Sequence, residues 1–189
     1  MQAQGLSGRD LIAFGAGLLT GLGLGRIAPP VAGQAIGSLS ALAGRDPFDA
    51  LAQDHRNVLA MFDVIERTDS SARARRSALL FQIKRMLTAH SLAEEDIIYP
   101  MLRDDAHREE MASQLYREHA EMKVHLFELE HQAKDEPGWI AKLRDLRGII
   151  ERHARQEEDT EFPRLRAALG GDGKSRLLGA IRREKALIL

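Results

Sequence analysis

The sequence predicts an all-α protein: an up-down-up-down antiparallel four-helix bundle, with a glycine-rich N-terminal segment and a short C-terminal helix. Three observations predict it. From residue 46 onward, apolar residues recur at steps of three and four, the signature of helices with one buried face. Ala, Leu, Arg and Glu are abundant while aromatic residues make up only 5% and Val is scarce, a balance that favours helix over sheet. Finally, one stretch occurs twice. His90-Ser-Leu-Ala-Glu94-Glu95-Asp96-Ile-Ile-Tyr-Pro100-Met-Leu102-Arg103 returns as His153-Ala-Arg-Gln-Glu157-Glu158-Asp159-Thr-Glu-Phe-Pro163-Arg-Leu165-Arg166. Each copy has a lone upstream histidine, His55 and His119, and these follow Asp54 and Glu118. Residues from about 47 to 166 therefore read as two copies of one helical hairpin related by an approximate two-fold.

The bulk properties narrow the chemistry. A chain of 189 residues fits one domain plus an appendage. Its net charge of -1 gives no general attraction to nucleic acid. With no cysteine, disulfides, zinc-thiolate sites, iron–sulfur clusters and thiol catalysis are excluded. Any metal must be held by nitrogen and oxygen, which seven histidines and many carboxylates can supply.

Residues 1–45 form a segment of different composition. Leu11 to Gly25 is apolar and glycine-rich, then Arg26 and Pro29-Pro30 interrupt it. Fifteen residues of helix span about 22 Å, short of the roughly 30 Å hydrocarbon core. Three readings stand: a membrane-associated or re-entrant anchor, a glycine-rich arm that packs on a partner or sister subunit, and a cleaved or disordered leader. The expected location is the cytoplasm, with residues 1–45 as a candidate membrane attachment.

Residues 46–169 are the expected bundle. Asp46-Pro47 is a cap followed by proline at the first helical position, and Phe48, Leu51, His55, Val58, Phe62 and Ile65 share one face. Thr68 to Ser71 is a turn and the next cap. Helix two carries Leu80, Ile83, Leu87, His90 and Glu94 and meets Pro100. Helix three, about 107 to 134, carries Leu115, His119, Met122, Leu126 and Leu129. Helix four carries Trp139, Leu143, Leu146, Ile150, His153 and Glu157 and ends near Pro163. In residues 170–189, Gly170 to Gly173 is expected as a flexible loop, and Ser175 as the cap of a short amphipathic helix.

Four residues advance a helix by about one turn, so His90 with Glu94, and His153 with Glu157, point the same way. His55 and His119 sit in apolar stripes. A single buried histidine is most often a hydrogen-bonded core residue, and one His-x-x-x-Glu is common by chance. Two copies, each with an upstream histidine at matching spacing, point to metal ligation. Burying two carboxylates among apolar residues is expensive unless a cation compensates them. Four imidazoles and two carboxylates suit iron, manganese, copper or zinc, and carboxylates that can bridge favour a dinuclear site. His107, His125 and His131 fall outside the pattern. Glu95, Asp96, Glu158 and Asp159 repeat but lie one and two positions off the ligand face, and Tyr99 and Tyr116 read first as core packing, with lining of the pocket as the alternative.

These elements together resemble the hemerythrin-like, HHE cation-binding domain: Asp54-His55, His90-x-x-x-Glu94 with Tyr99-Pro100, Glu118-His119, and His153-x-x-x-Glu157 with Phe162-Pro163. The resemblance implies a four-helix bundle with a non-haem di-iron centre. Its ligands would be His55, His90, Glu94, His119, His153 and Glu157, with the two carboxylates bridging the irons. Its partner would be O2, NO or peroxide; Mn or Zn are alternative occupants. Oxygen-carrying hemerythrins have a further histidine one turn after the third-helix histidine, where this chain has Lys123, so the ligand set looks closer to the bacterial HHE proteins. The leading expectation is a binding protein for sensing, oxidative or nitrosative stress, or iron handling, rather than an enzyme. A peroxidase- or oxidase-like or NO-repair enzyme, and a membrane- or partner-docked protein with a structural metal, are the alternatives.

Overall fold

The computed structural model describes residues 46–104 and 106–189; the readings on residues 1–45 lie outside them. Among the described residues, seven α-helices follow in order: α1 Pro47–Glu66, α2 Arg73–Ala93, α3 Tyr99–Asp104, α4 Glu109–His131, α5 Pro137–Gln156, α6 Phe162–Ala168 and α7 Gly171–Lys185. A π-helical turn, Glu94–Ile98, joins α2 to α3, and a second, Glu157–Glu161, joins α5 to α6. There is no strand among the described residues. None of their helices is long and apolar enough to cross a membrane.

Local chemistry sets the helix starts. The Asp46 carboxylate accepts from the Phe48 N–H at 3.0 Å, and Pro47 opens α1. Between α1 and α2, the Asp69 side chain accepts from the Ser71 N–H at 2.8 Å. It closes the turn and does not cap α2, which starts after Ala72 without a side-chain cap. Pro137 opens α5.

The last helix departs from expectation. Gly170 stands at the N-cap and Gly171–Gly173 form the first turn of α7, so this stretch is helix and not loop. Ser175 lies inside the helix, its hydroxyl on the Gly171 carbonyl. Burial of Leu177, Leu178 and Ile181 outweighs the poor helical propensity of glycine.

The four long helices close a ring: α1 packs on α2 and α5, and α4 packs on α2 and α5. Two apolar clusters fill it. One holds Val58, Phe62, Ile83, Leu87, Met122, Leu129, Trp139 and Ile150. The other holds Phe48, Leu51, Ala93, Ile98, Tyr99, Leu115, Phe162 and Ile181. In each long helix a histidine falls where the chain passes from one cluster to the other. A polar layer thus lies between two dry ones. At the first cluster's end, buried Arg76 joins two connections. Its guanidinium donates to the Thr68 hydroxyl (2.8 Å) and carbonyl (2.8 Å) and to the Lys134 carbonyl (2.5 Å).

Candidate metal centre

The polar layer brings all six sequence-selected residues together. His55, His90, Glu94, His119, His153 and Glu157 are each at most 2% exposed, so water cannot solvate them. One ligand atom from each of His55, Glu94, His153 and Glu157 lies within 4.8 Å of the others. Glu94 Oε2 is 3.0 Å from His90 Nε2 and 3.4 Å from His119 Nε2. Glu157 Oε2 is 3.5 Å from His55 Nε2 and 3.4 Å from His153 Nε2. The Nε2 atoms of His119 and His153 are 3.1 Å apart.

Carboxylates fix the orientation of every ring. Nδ1 of His55 meets Glu158 at 2.9 Å, that of His90 meets Asp54 at 3.3 Å, that of His119 meets Glu95 at 3.0 Å, and that of His153 meets Glu118 at 2.9 Å. An ionised carboxylate only accepts, so each Nδ1 carries the proton and each Nε2 faces inward. The pattern follows the repeat. The residue before each upstream histidine holds the downstream histidine of its own copy. The residue after each site glutamate holds the upstream histidine of the other copy. Buried Nε2 atoms of His55 and His90, both oxygens of Glu94 and Oε2 of Glu157 have no hydrogen-bond partner among the described residues. Orphaned polar atoms at this density are costly without a cation between them. Imidazoles backed by carboxylates are the usual form of metal-ligating histidine.

Two π turns shape the layer. The Tyr99 N–H donates to the Glu94 carbonyl, and the Phe162 N–H to the Glu157 carbonyl, each five residues back. Proline explains the widening: Pro100 and Pro163 have no N–H, and in a regular helix their rings would strike the carbonyls of Asp96 and Asp159. The wider turn sets residues five apart above one another, so Tyr99 returns to the face of Glu94. Its hydroxyl donates to Glu157 Oε1 at 3.0 Å and lies 2.9 Å from His119 Nε2. Tyr99 therefore lines the site with its hydroxyl while its ring packs in the second apolar cluster. A repeated aromatic-proline pair five residues after each site glutamate was the available signal. Phe162, its counterpart, lies near-parallel to the His55 ring at 6.4 Å between centroids and has no hydroxyl.

The electrostatics are unequal across the pseudo-two-fold. Burial opposes charge on both glutamates, but the His90 and His119 side chains hold Glu94 well below its ordinary value. Burial and the Glu94 charge push Glu157 well above its own. Burial, with Glu157 and Glu94 nearby, keeps the Tyr99 phenol protonated well beyond its usual range. The remaining candidates stand apart. Lys123 is exposed and bonds Glu95 at 2.7 Å outside the layer, Asp96, Asp159, His107 and His131 are exposed, and His125 is half-buried. Tyr116 donates to the Glu95 carbonyl at 2.5 Å and packs on Tyr99.

A helical bundle with a buried cluster of imidazoles and carboxylates that could hold a metal defines a metal-binding class of helical protein. Residues 46–165 match the hemerythrin HHE cation binding domain, and the chain belongs to that family. It is 25% identical over 142 residues to an uncharacterized hemerythrin-like protein of Schizosaccharomyces pombe, covering 74% of this chain and 69% of that one. It is 31% identical over 124 residues to a DNA nickase of Nostoc sp. (66% of this chain), but spans only 34% of the nickase's length. No solved structure matches the chain.

Proposed function

We propose that this chain is a non-haem di-iron binding protein whose ligands are His55, His90, Glu94, His119, His153 and Glu157, and that it binds O2, NO or peroxide. Five buried donor atoms converge without hydrogen-bond partners while every Nδ1 is clamped from behind; that observation carries the reading. The four imidazoles would hold two iron ions, with Glu94 and Glu157 as the carboxylate ligands between them; manganese or zinc are the alternative occupants. The alternation of apolar clusters along the long helices supports an up-down-up-down course.

When bound, iron supplies an electrophilic, redox-active centre. The chain's own groups do the rest. Asp54, Glu95, Glu118 and Glu158 orient the imidazoles. The two apolar clusters exclude water. Tyr99 holds a proton at its hydroxyl, 3.0 Å from Glu157 Oε1, where a small bound ligand could receive a hydrogen bond. Lys123 is engaged with Glu95, so the fifth imidazole of the oxygen carriers has no substitute here, which favours sensing, stress response or iron handling over oxygen carriage. Nicking of DNA is not carried over, because the alignment covers so little of that relative. Residues 1–45 are a candidate arm for a membrane or protein partner.

The deciding experiment is a metal count with an optical spectrum on aerobically purified protein. Two irons per chain, with near-ultraviolet bands that change on adding azide or peroxide, are expected. One metal per chain, or zinc alone after iron reconstitution, overturns the reading.

A further inference from the structure

The duplicated unit ends near residue 166, yet one contact to the metal layer comes from beyond it. α7 packs on α1, on α2 and on the first π turn, burying Leu177 and Ile181 in the cluster that holds Tyr99. Its last residue, Lys185, is only 4% exposed. The Lys185 ammonium pairs with Asp54 Oδ2, the same oxygen that receives Nδ1 of His90 at 3.3 Å. Beyond α7, the Ile188 and Leu189 carbonyls accept from Arg85 at 3.2 and 2.8 Å. Arg85 is on α2, the helix that carries His90.

Among the described residues the other copy has no equivalent. Glu118, which holds His153 as Asp54 holds His90, receives instead the neutral Gln114 amide at 2.8 Å, from its own helix. A buried ammonium is tolerated only beside a compensating charge. Lys185 therefore needs Asp54, and in turn draws Asp54 against the bundle.

We infer that Lys185 is a positioning residue for the metal centre, acting through Asp54 on His90, so that the Lys185–Asp54 pair sets how firmly the first half of the duplicated unit holds metal. The inference rests on the metal reading above. With Lys185 in place, Asp54 is fixed by two partners and the His90 ring has one orientation. Without it, Asp54 is half-buried with a single weak contact and can turn to solvent, releasing His90.

The test uses the full chain and three variants. Lys185→Met removes the charge and keeps the length. Lys185→Arg restores a cationic donor. Leu178→Ala loosens α7 elsewhere, where Leu178 packs on Ala50. Ferrous iron is titrated into each, and the imidazole 15N shifts of His90 are followed in the metal-free proteins. Lys185→Met is expected to weaken iron binding about tenfold, the lower end for groups that orient metal ligands, and to move the His90 shifts. Lys185→Arg is expected to recover most of the affinity, and Leu178→Ala to leave both readouts unchanged. Equal losses in Lys185→Met and Leu178→Ala, or unmoved His90 shifts in Lys185→Met, would falsify the inference. If the unaltered chain binds no iron, the metal reading fails by itself, while the His90 shifts still decide whether Lys185 positions that ring.

Discussion

Each imidazole of the layer is aimed by a carboxylate at Nδ1, and the Nε2 atoms of His55 and His90, both oxygens of Glu94 and Oε2 of Glu157 are left without a hydrogen-bond partner among the described residues, so the site carries an electrostatic cost that a cation relieves. Glu157 makes this testable. It is fully buried against Glu94, and both burial and the Glu94 charge raise its pKa. Glu157→Gln keeps the shape and removes the repulsion. The metal-free variant is expected to unfold at the same or a higher urea concentration than the parent, while the rise in melting temperature on adding iron disappears. A metal-free variant that is markedly less stable would instead mean that Glu157 is a structural acid. Tyr99 predicts the opposite balance. Tyr99→Phe leaves Glu157 Oε1 without its donor in a dry layer, which should cost the metal-free protein about 1–3 kcal/mol. An unchanged urea midpoint would show that the hydroxyl bond has no energetic weight.

The π turns are the elements that build the layer from local sequence. Pro100 removes one helical hydrogen bond and excludes the regular turn, and the packing of Tyr99 and Ile98 holds the wider one. Pro100→Ala restores the missing N–H. The segment is then expected to relax toward α-helix, rotating Tyr99 away from Glu157. Metal-free stability should be equal or higher by up to about 3 kcal/mol, and iron binding weaker. Hydrogen-exchange protection of the backbone amide that the substitution introduces, together with an iron titration, reads both effects; a protected amide with undiminished affinity would separate the turn from the site. These turns also mark where the sequence was legible and where it was not. The six buried residues at the centre stand out because four-residue spacing on a helix aligns His90 with Glu94 and His153 with Glu157, and because the spacing occurs twice. Tyr99 was legible as a core or pocket residue, but its bond to Glu157 was not, because regular helical geometry places it off the Glu94 face and only the π turn brings it back. Asp54, Glu95, Glu118 and Glu158 were visible as repeated neighbours of the candidate site residues, but which ring each one holds depends on packing between hairpins. Lys185 falls on the apolar stripe of Leu177, Leu178 and Ile181, but nothing in the sequence says which carboxylate it meets, since it reaches Asp54 across 131 positions.

At the scale of the whole molecule, proton and metal compete for one layer, and the competition sets how stability varies with pH. Burial lowers the pKa of His90, but Glu94 and Asp54 outweigh it and raise it from 6.5 to about 9. Such a group contributes stability that is fully present below 6.5 and is lost as pH rises through about 9. His153 behaves in the reverse sense. Burial, beyond what Glu118 restores, lowers its pKa to about 4. Folding therefore opposes its protonation, and stability is lost as pH falls from 6.5 toward about 4. Together they place the stability maximum of the metal-free protein near the ordinary histidine value, with losses on both sides. Metal enters this balance through the His90 proton. A ligating His90 must give up its Nε2 proton, so affinity should rise by about tenfold per pH unit while that one proton is displaced, and level off above about 9. Because bound metal stabilises the folded state by RT ln(1 + M/Kd), where M is the free metal concentration, the gap in melting temperature between iron-loaded and chelator-treated protein should widen steadily from 6.5 toward 9. Melting curves for both forms across this range check the argument. A constant gap would mean that His90 holds no proton in the metal-free layer, and hence that Glu94 and Asp54 do not act on it as their positions require.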